Sequence, residues 1–101
     1  MSNVRVSYMA TAATATDLTT GSILKDTRIR GIYATGIGVF ALVGTSTDPF
    51  GQVTGNKVKF ANTTANDATE QFFNDNLGIR MSGTVKVSAL PSGGTMTIYY
   101  G

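Results

Sequence analysis

Apolar and polar residues alternate over short stretches separated by turn residues, the period-two pattern of β-strands rather than the 3.6-residue period of helices. Val4-Arg5-Val6-Ser7-Tyr8 alternates strictly and predicts a first strand. Residues 11 to 16 are threonine and alanine, too small to anchor a core, so residues 1–16 are expected to form an extended N-terminal arm or an edge strand. Asp17 to Ser22 predicts a turn closing at Gly21. Residues 17–101 are expected to form a single β-sandwich domain.

Between Ile23 and Tyr33, Arg28 and Arg30 bracket Ile29, which puts Ile29, Gly31 and Tyr33 on one face of a strand. Ile32 breaks this alternation and predicts cover on both sides. The run Val39-Phe40-Ala41-Leu42-Val43 is continuously apolar, as expected of a strand buried on both faces, by its own core or by a subunit contact. A loop follows from Gly44 to Gly55, and Lys57-Val58-Lys59-Phe60 alternates again. Asp67 with Glu70 three residues on resembles a capping arrangement and allows at most one short helical turn near residues 67–74. From Ile79 to Ala89 every second residue is apolar or small, with Gly83 placed for a bend or bulge. Pro91-Ser92-Gly93-Gly94 predicts a hairpin turn, after which Met96, Ile98 and Tyr100 share a face. The sum is an all-β chain: a small antiparallel β-sandwich or jelly-roll-like barrel.

Composition narrows the chemistry. The 101 residues contain neither cysteine nor histidine, which removes the thiol nucleophile, the disulfide and the commonest neutral-pH base and metal ligand. No catalytic site, cofactor or metal is expected. A domain of this size buries a modest fraction of its apolar surface, so burial by self-association would add stability. Eight basic and six acidic residues give a net charge of +2 with no run of like charge, which argues against a dedicated nucleic-acid binder. No apolar run reaches the roughly 18 residues that span a bilayer, and residues 1–3 lack the start of a secretory signal, so no membrane partner is expected.

Several motifs have the residue types of a site. Gly36-Ile37-Gly38-Val39-Phe40-Ala41 fits the G-x-G-x-x-A turn of dinucleotide-binding folds, yet β-branched and aromatic residues follow where that fold needs a helix. Asp67, Glu70 and Asp75 could offer oxygen to a hard cation, but without EF-hand spacing they read better as caps and solvated loop. A carboxylate pair for glycoside hydrolysis would need a cleft larger than this scaffold is expected to form. Asn62-Thr63-Thr64 is a formal glycosylation sequon that carries little weight without a signal peptide. Arg28, Arg30, Lys57, Lys59, Arg80 and Lys86 occupy alternate strand positions and could line up as a basic surface stripe, or simply face solvent and discourage edge pairing. Tyr33, Phe50, Tyr99 and Tyr100 could stack on sugars or on a partner.

One composite pattern resembles a known group. It runs through Ile29-Arg30-Gly31-Ile32-Tyr33, the glycine-bounded apolar strand ending at Gly44, Phe72-Phe73, Gly78-Ile79-Arg80-Met81-Ser82-Gly83 and the closing Thr97-Ile98-Tyr99-Tyr100-Gly101. Over residues 18 to 101 this order resembles small structural proteins of tailed-phage virions. The resemblance implies a β-sandwich that assembles as a homotrimer, made in the host cytoplasm and bound to the capsid exterior as a decoration or cement protein. Its partners would be itself and the major capsid protein or another virion protein. A tail, fibre or receptor-binding module is the alternative, and a host-side binding or regulatory domain a third. On this reading the interface residues would be Val4, Val6 and Tyr8 in the arm, Val39, Phe40, Leu42 and Val43 in the apolar strand (for subunit or core packing), and Tyr99 and Tyr100 at the end.

Overall fold

The computed structural model describes residues 4–47, 49–52, 57–63, 68–72 and 78–101, with the backbone alone for 68–72. Seven strands are present among them: β1 (Arg5–Met9), β2 (Lys25–Thr35), β3 (Gly38–Gly44), β4 (Lys57–Asn62), β5 (Ala68–Phe72), β6 (Ile79–Ala89) and β7 (Thr95–Tyr100). All pair antiparallel, in the order β1-β7-β2-β6-β3-β4, with β5 also on β2. The fold is all-β, as the alternation predicts. Where the sequence allows a helical turn near residues 67–74, Ala68 to Phe72 is a strand, because Gly31 to Thr35 of β2 offers it an edge with five successive partners.

The sheet folds over on itself through β6. Its first half, from Ile79 to Thr84, pairs with β2, and its second half, from Val85 to Ala89, pairs with β3. The corner lies at Gly83, whose φ of 78° suits glycine, and a Cβ there would stand 2.5 Å from the Ser46 nitrogen. Opposite it, Asp26 adopts φ 47°, a region that aspartate tolerates, and its carboxylate accepts a hydrogen bond from the Gly83 N–H at 2.7 Å. Two layers result, joined by a strand that changes sheet at a bulge. The first holds β1, β7, β2, β5 and the start of β6; the second holds the end of β6, β3 and β4.

The small-residue tract completes the second sheet. Ala15 N–H donates to the Val85 carbonyl, Val87 N–H donates to the Ala13 carbonyl, and Thr14 lies opposite Lys86. Small side chains suit this position, since Ala15 is fully buried against the core. Asp17 then closes the expected turn: its backbone N–H donates to the Ser22 carbonyl, and its side chain accepts from the Thr19 and Thr20 N–H groups.

Two strand connections differ from expectation. Pro91 to Gly94 does turn, with Gly94 N–H donating to the Pro91 carbonyl, but it joins no hairpin, because β6 has already crossed to the second sheet and β7 lies in the first. The Gly36-Ile37-Gly38 link makes the same crossing from β2 to β3. These two crossings pack together: a Cβ on Gly36 would meet the Gly94 Cα at 2.7 Å, and one on Gly38 would meet the Pro91 Cβ at 2.7 Å. The glycines of the G-x-G-x-x-A pattern therefore admit another stretch of the same chain, not a pyrophosphate, and a strand follows them.

Between the sheets lies a core of Met9, Leu24, Ile29, Ile32, Ala34, Phe40, Leu42, Met81, Val85, Val87, Met96, Ile98 and Tyr100. Ile29 and Ile32 both point inward because a register shift in the β2–β7 ladder falls between Ile29 and Gly31. That shift moves Ile32 and Ala34 into the core and turns Tyr33 outward, so the broken alternation records a bulge rather than cover on two sides. Phe40 stacks on Phe60 across the β3–β4 pair at 5.1 Å between centroids. Fully burying such a side chain contributes about 1.5–3 kcal/mol.

Candidate functional site

Directly opposed residues of an antiparallel sheet point to the same side, so the register defines two outer faces. On the first sheet, Val6 lies opposite Tyr99 and Tyr99 opposite Gly31, while Tyr8 lies opposite Thr97 and Thr97 opposite Tyr33. Thr95 and Thr35 continue the pattern, and their hydroxyls hydrogen-bond at 2.7 Å. Beyond Val6, Val4 extends the row. Val4, Tyr8 and Tyr33 are 45%, 48% and 36% exposed. The three strands β1, β7 and β2 contribute only valine, tyrosine, threonine and glycine to these rows.

The second outer face differs in charge. Val43 lies between Lys57 on β4 and Lys86 on β6, and Thr14 lies beyond Lys86. One row on, Ala41 lies opposite Lys59, and the next row pairs Val39 with Ala61. The three lysines are exposed, Val39 is exposed and Val43 half-buried.

The proposed interface residues therefore divide. Val4, Val6, Tyr8 and Tyr99 come together on the first face, and the structure adds Tyr33 to them. Val39 and Val43 lie on the second face, away from the first set. Phe40 and Leu42, fully buried, and Tyr100, 5% exposed, are spent on the chain's own core and are not available as contact surface. Alternation within the apolar strand is the reason: even positions face inward, odd positions outward. Within residues 1–16, β1 pairs with β7 along its whole length, at the end of the sheet.

The basic residues also separate into two places. Lys57, Lys59 and Lys86 share the second face, whereas Arg28 stands opposite Arg80 on the β2–β6 pair and Arg30 sits at the β2 bulge with its Nε buried. They form no single stripe, because β6 turns between Arg80 and Lys86. Phe50 is 88% exposed in the loop after β3 and joins no tyrosine cluster described above. Of the acidic trio, Asp67 and Asp75 lie outside the described residues, and Glu70 is placed by its backbone alone, opposite Tyr33.

Sequence reasoning missed one polar constellation. The Tyr100 hydroxyl donates to Asp17 Oδ2, and the Arg5 guanidinium lies 5.2 Å from the Tyr100 ring centroid. Beside it a shallow cavity of about 450 Å³ is lined by Val4, Arg5, Val6, Asp17, Leu18, Thr19 and Thr20. The Tyr100 hydrogen bond, helped by those from Thr20 and Thr19, lowers the Asp17 pKa from 3.8 to about 2. Burial, with the neighbouring Asp17, raises Tyr100 from 10.0 to about 12. Neither group is poised to exchange a proton near neutrality. The contacts pin the turn after Asp17 to the ends of β1 and β7, where Leu18 N–H also donates to the Val6 carbonyl. Residues 83 positions apart in sequence carry no local signal of such a pair.

Compared with known proteins, the chain matches no family model, no curated protein and no solved structure.

Proposed function

We propose that this chain is a non-enzymatic structural protein of a phage virion, a decoration or cement protein that stabilises the shell from its exterior as an oligomer. The observation that carries the reading is the cluster on the outer face of the first sheet where Val4, Val6, Tyr8, Tyr33 and Tyr99 lie side by side along β1, β7 and β2, whose rows there hold no charged residue. Tyrosine-rich, charge-poor patches favour protein contact, because they bury large area at little desolvation cost. A small domain without disulfides gains most from covering such a face with another copy of itself. The resemblance of the composite sequence pattern over residues 18–101 to small virion proteins supplies the particle, and a homotrimer is the assembly it implies.

The test has two parts. Light scattering of the purified chain is expected to give a trimer, and Tyr8→Glu with Tyr33→Glu a folded monomer, since both side chains are exposed on the face. A wild-type chain that stays monomeric at high concentration removes the self-association. Cryo-electron microscopy of the particle is expected to show copies at or near the number of capsid subunits or three-fold positions. Tens of copies would favour the tail or fibre module instead, and absence from the virion would end both.

A further inference from the structure

We propose that the outer face of the second sheet is a docking surface for an acidic protein surface, with Lys57, Lys59 and Lys86 as its charged contacts and Val39 and Val43 as its apolar centre. In the virion this partner would be the shell, and that assignment alone rests on the function proposed above.

Three observations combine. Lys57 and Lys86 flank Val43 on either side, which at normal strand spacing puts their Cα atoms roughly 10 Å apart, with Lys59 about 7 Å along the same strand as Lys57. No aspartate or glutamate occurs in β3, β4, the second half of β6 or residues 13–15, so the sheet supplies no charge to offset the lysines. A chain with net charge +2 has thus gathered three of its eight basic residues on one sheet face. The ordinary explanation of strand lysines is protection of an open edge. It suits Lys57 and Lys59, because β4 ends the described sheet, but not Lys86, whose strand is flanked by β3 on one side and by the segment through Thr14 on the other.

The chemistry selects an acidic protein over a nucleic acid. Exposed Val39 and half-buried Val43, with lysines on either side of Val43, reproduce a protein contact with an apolar centre and a polar rim. Single-stranded nucleic acid would want aromatic platforms and arginine planes, and this face presents neither an aromatic ring nor an arginine. Three lysines would also release few counterions from a duplex. Complementary charge sets the orientation of docking and speeds encounter, while the valines are covered on arrival.

Titration of the isotopically labelled full chain with poly-L-glutamate, followed by amide NMR shifts, tests the surface without any particle. The expected result is a cluster of shifts on β3, β4 and the second half of β6, with affinity falling as salt rises. Lys57→Gln with Lys86→Gln should weaken binding about tenfold, and Lys57→Glu with Lys86→Glu should abolish it, each keeping the wild-type spectrum elsewhere. Shifts centred on Arg28 and Arg80, affinity unchanged in the charge-reversed chain, or no binding at low salt would each overturn the proposal. A DNA or RNA oligonucleotide that binds these residues more tightly than polyglutamate would overturn it in favour of a phosphate partner. Presence or absence of the chain in virions bears on the proposed function and leaves this result unaffected.

Discussion

The Asp17 carboxylate accepts hydrogen bonds from Thr19 N–H, Thr20 N–H and the Tyr100 hydroxyl, and its ionisation is therefore tied to folding. A carboxylate whose pKa is lowered by folding from 3.8 to about 2 stabilises the native state above pH 3.8, and that contribution is lost as the pH falls to about 2. Tyr100 works in the opposite sense: raised from 10.0 to about 12, it contributes fully below pH 10.0 and the contribution is lost as the pH climbs to about 12. Replacing Tyr100 by Phe removes the tyrosine's own effect and the largest of the hydrogen bonds that lower Asp17. Acid unfolding followed by circular dichroism is expected to begin at higher pH in that variant, and the loss of stability above pH 10.0 to shrink. Ser7 presents the reverse case. Its hydroxyl is buried beside Ile98 with no hydrogen-bond partner among the described residues. Removing a desolvated, unpaired hydroxyl relieves its desolvation cost, so Ser7→Ala is expected to stabilise by about 1 kcal/mol in urea unfolding.

At the scale of elements, β6 decides the architecture, because one glycine lets it serve two sheets. An alanine at Gly83 must hold a left-handed φ and meet the Ser46 nitrogen at 2.5 Å. The strain alone costs about 1–3 kcal/mol, and the close contact adds to it. Gly83→Ala is expected to lose at least about 2 kcal/mol by denaturant titration, more than alanine at Gly21, where a Cβ would meet nothing within 4 Å. Equal losses at the two glycines would show that the close contact at the Gly83 corner adds nothing to the strain. β1 shows why removing the N-terminal residues is a poor probe of an arm: it would strip a strand from β7 and bare Met96 and Ile98. Point changes at Val4 or Tyr8 leave the ladder in place.

For the whole molecule, the proposals give the two faces of a chain with one small core different jobs: the tyrosine face would meet other copies, the lysine face an acidic neighbour. Association that binds only the folded state raises its stability by mass action. The thermal midpoint is expected to rise by several degrees over about a hundredfold range of protein concentration, measured by calorimetry. A midpoint that does not move with concentration would count against self-association at the tyrosine face. The lysine face makes no such prediction, since like charges on two copies would repel.

Strand identity was legible in the residues themselves. Alternation along Val4 to Tyr8, Ile79 to Ala89 and Thr95 to Tyr100 reports which side chains a two-residue period places together, and that is a property of the local backbone. The absence of cysteine and histidine equally limits the available chemistry without reference to any fold. What the neighbours of each strand would be was not legible. Pro91 to Gly94 looks like a hairpin turn until β6 is seen to have changed sheets. Arg28 and Lys57 look alike until the same corner separates them. Asp67 and Glu70 spell a capping pattern, yet Ala68 to Phe72 pairs with β2 as a strand. Gly36 and Gly38 spell a nucleotide motif that the packing of two crossings explains. Each depends on contacts between residues far apart in sequence, and only the closed sheet brings those together. The sequence alone thus established an all-β chain without thiol or imidazole chemistry, while the tertiary structure alone decided which of its outward residues share a face.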